Sequence, residues 1–314
     1  MFSLALRSVG EDTRCLIARN HIFKYPEQGT VFTDTEQIRE GILWADWVWI
    51  IQTDLPMKIG GTYSGSAFHT KARSMWLNYL KDKRVGLLHG GGTFRDNRTF
   101  YQQLWSPFDP LSICYEADLM GSFQNEHLVI PPVNLDHFNQ KPRTWETLRV
   151  GHFPSRPTDK GSEWIVPMMR GTKDLEFRTS VTNPYNQERG AERKPWSEHL
   201  ERMSECDVII DQIKPELNGV KFGEWVSIGT EAAALGCISI ANSLNQKPYY
   251  DTYGRFPGIH VCNDASELVR EIERIKTLPH DLLQHEKQKS RDWIKEFHTL
   301  EPTGNLLKKL CNIP

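Results

Sequence analysis

Arg156 and Lys160 stand in HFPSRPTDKGSEWIV, residues 152–166. A strand-like run, Leu148 to Phe153, enters a loop at Ser155-Arg156, passes Lys160-Gly161 and opens a helix. Two cations beside the exposed N–H groups of a helix start make a site for a diphosphate. The plain alternative is a pair of solvated loop cations. Glu231 lies in GEWVSIGTEAAALG, residues 223–236, at the start of a small-residue helix. A carboxylate there complements the helix dipole or caps the helix. It can equally accept hydrogen bonds from two ribose hydroxyls, as acids do in dinucleotide folds. His89 ends the apolar run Arg84 to Leu88 and precedes Gly90-Gly91-Gly92. Glycines let a backbone approach a ligand closely. A histidine there can reach a sugar hydroxyl or a reacting centre, and Arg95 would add positive charge. The bland reading of a lone histidine is a structural residue. There is no GxxxxGK[ST], HExxH or GxSxG, and Asp46 and Asp54 form no DxD metal anchor.

The elements around these residues alternate. In the first half, helical patterns over 2–9, 35–45 and 67–81 interleave with strand-like runs at 14–18, 47–52, 84–88, 111–115 and 128–130. Pro131-Pro132 and Lys141-Pro142 interrupt the pattern. A second series has strands at 148–153, 175–179, 207–211, 237–241 and 258–262, with helices between them. This is an α/β pattern with mainly parallel sheets. It predicts two domains, 1–146 and 147–298, and a tail, 299–314. Amphipathic helices are predicted over 264–277 and 280–298. The chain opens inside what reads as a first helix, so either the start codon is late or the first strand of a doubly wound domain has been dispensed with.

The 314 residues carry a net charge of -2, which gives no large basic surplus for nucleic acid. The basic run His69 to Arg84 is a local exception. The six cysteines include no CxxC pair and read as buried thiols in a reducing cytoplasm. No apolar run approaches the roughly 20 residues of a membrane span. Met1-Phe2-Ser3 has no basic region of the kind that opens a signal peptide. The expected location is cytoplasmic. Most of the ten tryptophans, Trp44, Trp47 and Trp49 among them, read as core or interface residues.

Four segments, in order, resemble the GT-B glycosyltransferases, in particular the retaining group that includes glycogen-synthase-like and mannosyltransferase-like enzymes. RVGLLHGGG resembles the strand whose terminal histidine contacts the donor sugar. HLVIPPVNLDHF resembles the "IPNGVDxxxF" strand end. HFPSRPTDKG resembles the diphosphate loop, and GEWVSIGTEAAALG resembles the "EGFGxxxxEAxAxG" signature. In this chain Gly223 stands where that signature has its first glutamate, with Glu224 beside it, and Val226 replaces its second glycine. Arg156 and Lys160 are one residue closer than is usual.

The resemblance implies two Rossmann-like domains facing across a cleft. It implies transfer of a sugar from a nucleoside-diphosphate (NDP) sugar to an acceptor hydroxyl, with retention and without a metal or other cofactor. By the resemblance His89, Arg156 and Lys160 are catalytic. Ser155, Gly161, Gly223, Glu224 and Glu231 bind the donor. Gly90, Gly91 and Arg95 lie on the acceptor side. A glycan, a lipid-linked sugar or a hydroxymethylated DNA base fits as acceptor. The DNA base is suggested by the basic run and by compact viral GT-B enzymes that glycosylate hydroxymethylated pyrimidines. The competing readings are a GT-B-fold sugar-nucleotide epimerase or hydrolase and a non-catalytic nucleotide-binding or scaffolding protein.

Overall fold

The structure, a computed structural model, describes residues 1–17, 24–26, 29–32, 34–51, 56–59, 62–65, 77–90, 92–139, 141, 147–186, 190–217, 220–225, 227–243 and 245–313. The chain divides into two compact units, Met1–Ile130 with Thr303–Pro314, and Pro131–Pro302.

In the first unit, α1 (Phe2–Ser8) and α2 (Thr35–Trp44) precede β1 (Trp47–Ile51) and β2 (Arg84–His89). Then come α3 (Gly92–Asp96), α4 (Arg98–Trp105), β3 (Leu111–Cys114) and β4 (Glu126–Leu128). The Asp34 side chain accepts from the Gln37 N–H at 3.0 Å, which starts α2. The four strands lie in sequence order and all are parallel. A parallel sheet is covered on both faces, so β2 is buried from Val85 onward. Gly86 leaves room for the Trp49 ring, which a Cβ would approach to 2.2 Å. One face carries Leu87, Phe94, Tyr101 and Trp105. The other carries Leu6, Leu88, Ile113, Val129 and Leu307.

The second unit runs β5 (Leu148–His152), α5 (Ser162–Gly171), β6 (Leu175–Thr179), α6 (Trp196–Ser204), β7 (Val208–Gln212), α7 (Ser227–Ala234) and β8 (Ile238–Ala241). It continues through α8 (Lys247–Tyr253), β9 (His260–Val261), α9 (Ala265–Lys276) and α10 (His280–Phe297), and α11 (Leu300–Leu310) follows. Its parallel sheet has the order β6-β5-β7-β8-β9. Val208 pairs with Val150 on one side and Ile238 on the other, in a core with Ile165, Ile210, Ile240 and Leu268. Strand order reverses between β5 and β7. In an open α/β sheet the ligand crevice lies beyond the carboxyl ends of the strands at such a reversal.

The unit boundary falls at 130/131 rather than at 146, where the prolines 131–132 already interrupt the chain. The expected tail is a helix, α11. Leu306, Leu307 and Leu310 recur at helical spacing and pack beside Leu6, Leu88 and Ile113. Gly304 sits so close to the Ala5 carbonyl that a Cβ would meet its oxygen at 2.1 Å. Lys308 pairs with Glu11 at 2.7 Å. After α1, Leu16–Ile17 pairs in parallel with Thr30–Val31. The strand expected at 128–130 lies at Glu126–Leu128. Most of the basic run, residues 69–76, lies outside the described residues.

Candidate functional site

Beyond His152 the chain leaves β5 and makes a 3-10 turn, Pro157–Lys160, before α5. Gly161 closes the turn at φ +75°, a left-handed conformation that favours glycine. The turn hangs on β7. Lys160 Nζ donates to Asp211 Oδ1 at 2.7 Å, and the Ile213 N–H reaches the Lys160 carbonyl at 3.4 Å. Asp211 is fully buried, and its Oδ2 has no hydrogen-bond partner. Arg156 is 56% exposed and lies 3.2 Å from Asp159, a solvent-screened pair of small worth. Ser155 is exposed on the same loop. The loop therefore brings Arg156, Lys160 and Gly161 to the carboxyl edge of β5 and β7, at the reversal of strand order.

His152 escaped the sequence reading. It is buried, with Nδ1 2.8 Å from the Ile210 carbonyl and Nε2 2.7 Å from Ser162 Oγ. A carbonyl can only accept, so Nδ1 carries the proton and Nε2 accepts from the serine. Burial lowers its pKa to about 4, against the pull of the Ile210 carbonyl and with help from Lys160. A neutral imidazole thus bolts β5 to β7 and to the first residue of α5, directly behind Lys160-Gly161.

Glu231 lies on α7, between β7 and β8. The Trp196 indole N–H donates to its Oε1 at 2.7 Å, and His199 Nε2 lies 3.8 Å from Oε2. The carboxylate keeps 13% of its surface. Burial raises its pKa to about 7; the Trp196 N–H opposes this and the nearby Asp211 charge adds to it. Burial, with Arg202 nearby, lowers His199 to about 4. At neutral pH the two therefore do not form an ion pair. Phe153 stands edge-on to His199 at 6.2 Å.

Gly223 has φ +94°, and a Cβ there would meet Gln212 Nε2 at 2.3 Å and Asn242 Nδ2 at 2.5 Å. A glutamate does not fit this position. The neighbouring Glu224, expected among the donor ligands, is turned inward instead. Its carboxylate is fully buried and accepts from Ser243 Oγ at 2.9 Å, the Asn245 N–H at 3.1 Å and the Tyr249 hydroxyl at 3.4 Å. Gly223→Ala is expected to destabilise the protein by about 1–3 kcal/mol through the strained backbone. Urea unfolding measures this, and wild-type stability would contradict the packing described.

The first-unit residues are placed differently from expectation. His89 is fully buried and lies between the rings of Phe94, 3.9 Å away, and Phe123, 5.4 Å away. Both ring nitrogens lack partners, and burial, with Arg98 nearby, lowers the pKa to about 3. This neutral ring has no surface with which to hold a sugar. The cause is α3, which carries Phe94 back over the end of β2. Gly90 makes room for Tyr115, whose ring a Cβ would meet at 2.6 Å. Arg95 is 9% exposed and bonded to Glu116 at 2.6 Å and to Asp118 at 2.9 Å, so its charge is already neutralised. Gly91 lies outside the described residues.

Among the described residues no cluster of three His, Cys, Asp or Glu side chains is placed to hold a metal. Among them, too, no helix is long and apolar enough to cross a membrane.

The fold is GT-B, with two Rossmann-like domains. HepE of Anabaena, solved in complex with UDP and glucose, is similar over 89% of this chain and 81% of its own, with 8% identity and a TM-score of 0.57. A glycosyltransferase of Rickettsia africae covers the same shares at 15% identity and a TM-score of 0.54. The trehalose-6-phosphate synthase OtsA is similar over 96% of this chain and 100% of its own, at 8% identity and a TM-score of 0.50. No family model and no curated protein matches the sequence.

Proposed function

We propose that the protein is a retaining glycosyltransferase that takes a sugar from an NDP-sugar without a metal. The reading rests above all on one arrangement: Lys160, Gly161 and Asp211 at the strand-order reversal of the second sheet, with Glu231 near enough to feel the Asp211 charge. HepE, a neighbour of the same fold, was solved with UDP-glucose.

In this reading the nucleoside diphosphate lies along the carboxyl edge of β5 and β7. Glu231 accepts from the ribose. Arg156 can exchange its screened contact with Asp159 for the diphosphate. Lys160 stays anchored on Asp211 and directs its remaining N–H groups at the leaving oxygen, where charge grows as the glycosidic bond breaks. The acceptor oxygen bonds to the anomeric carbon on the face the diphosphate leaves. The bond between the anomeric carbon and the bridging phosphate oxygen breaks, that oxygen leaves with the diphosphate, and the hydroxyl proton passes to the departing phosphate. His89, Arg95 and Glu224 have no part in this scheme.

The test is consumption of UDP-, GDP- and ADP-sugars with three acceptor arms: oligosaccharides, a lipid-linked sugar and hydroxymethylated DNA. Product with retained anomeric configuration supports the reading. An epimer or free sugar from donor alone would make the protein an epimerase or hydrolase, and no thermal shift with any nucleotide would make it a scaffold. Turnover is expected to persist in EDTA; complete loss, restored by Mg²⁺ or Mn²⁺, would overturn metal independence.

A further inference from the structure

The Trp196–Glu231 contact changes what the carboxylate can offer. A free carboxylate can meet both hydroxyls of a ribose, one per oxygen. Here Oε1 already accepts from the Trp196 N–H at 2.7 Å, which leaves it one lone pair while Oε2 keeps both. The indole is held edge-on by His137 at 5.6 Å and by Phe138 at 5.7 Å, so it is not free to swing aside. The second oxygen lies 3.8 Å from His199 Nε2, beyond hydrogen-bond reach.

We propose that Trp196 is a positioning residue: it takes up one lone pair of Glu231 Oε1 and leaves Oε2 as the better acceptor toward the ligand, so that the site reads one hydroxyl of the nucleoside more strongly than the other. This rests on the donor-site reading above. The charged groups that face Glu231 are His199 from α6, itself under the field of Arg202, and Asp211 from β7, paired with Lys160. None of them donates to the occupied oxygen in place of the indole.

Calorimetric titration of the wild-type protein with UDP, 2′-deoxy-UDP and 3′-deoxy-UDP, with the same GDP and ADP series in parallel, tests this directly. One deoxy form is expected to bind about tenfold more weakly and the other within about twofold of the parent. Trp196→Phe keeps a ring and removes the N–H. Its affinity should follow pH with a midpoint above the wild-type value near 7, because the donor that favours ionised Glu231 is gone. Equal losses for both deoxy forms in the wild type, or an unmoved midpoint in Trp196→Phe, would overturn the proposal. The deoxy comparison needs no variant and stands even if Trp196→Phe fails to fold. Indifference to both hydroxyls, together with unchanged affinity in Glu231→Gln, would instead remove the ribose reading itself.

Discussion

Lys160→Ala is expected to lower turnover by about 10²–10³-fold, the usual effect of deleting one preorganised donor to a developing negative charge. It should also destabilise the fold by about 3 kcal/mol, because it leaves an unpaired charge in the interior. Asp211 is fully buried, and its second oxygen has no partner to compensate. The two effects can be separated. Lys160→Met combined with Asp211→Asn removes both charges, so most of the stability should return while turnover stays low. Thermal denaturation and initial rates on the three proteins make the comparison. Full turnover in Lys160→Ala, or turnover recovered along with stability in the double variant, would reduce Lys160 to a structural bolt.

Glu231→Gln is expected to move binding and stability in opposite directions. Loss of a charged acceptor should weaken nucleotide binding by about 1–3 kcal/mol at pH 8. Stability should rise. The folded pKa of Glu231, about 7, lies above the ordinary carboxylate value of 4.5, so its contribution is fully present below pH 4.5 and is lost as pH climbs through 7. At pH 8 the wild type therefore holds a charge the interior disfavours, at a cost of about 3 kcal/mol. Glutamine is neutral and can still accept from Trp196. The variant should melt higher than wild type at pH 8 and at nearly the same temperature at pH 4.5. A variant that melts lower at pH 8, with unchanged nucleotide affinity, would make Glu231 an ordinary structural acid.

The second unit was largely legible because its signals are local. The strands 148–153 and 207–211 and the small-residue helix carrying Glu231 all have the periodicity that specifies them. The loop 154–161 could be placed at the carboxyl edge from strand–loop–helix order alone. The first unit shows where such reading stops. His89 does end an apolar strand before glycines, as ligand-binding histidines do. What buries it is Phe94 and Phe123, and the second is far away in sequence. Arg95 looked like available charge, but its partners Glu116 and Asp118 arrive from beyond β3. Glu224 sat beside the right signature position, yet its partners Ser243 and Tyr249 follow β8. Non-local partners of this kind leave no periodic mark. The Trp196 contact is of the same sort, since it joins the start of α6 to α7.

Helix α11 carries a consequence for the order in which the chain takes shape during synthesis. The residues of the second unit emerge from the ribosome as one block, with every strand of their sheet inside 131–302. The first unit has its sheet by residue 128, but Leu307, which is 1% exposed, has not yet been made. Until it arrives, the apolar face that Leu6, Leu88, Ile113 and Val129 share lacks the cover of Leu306, Leu307 and Leu310. The half that is translated first is therefore the half that finishes last, and it needs shelter from aggregation for the time taken to synthesise the other.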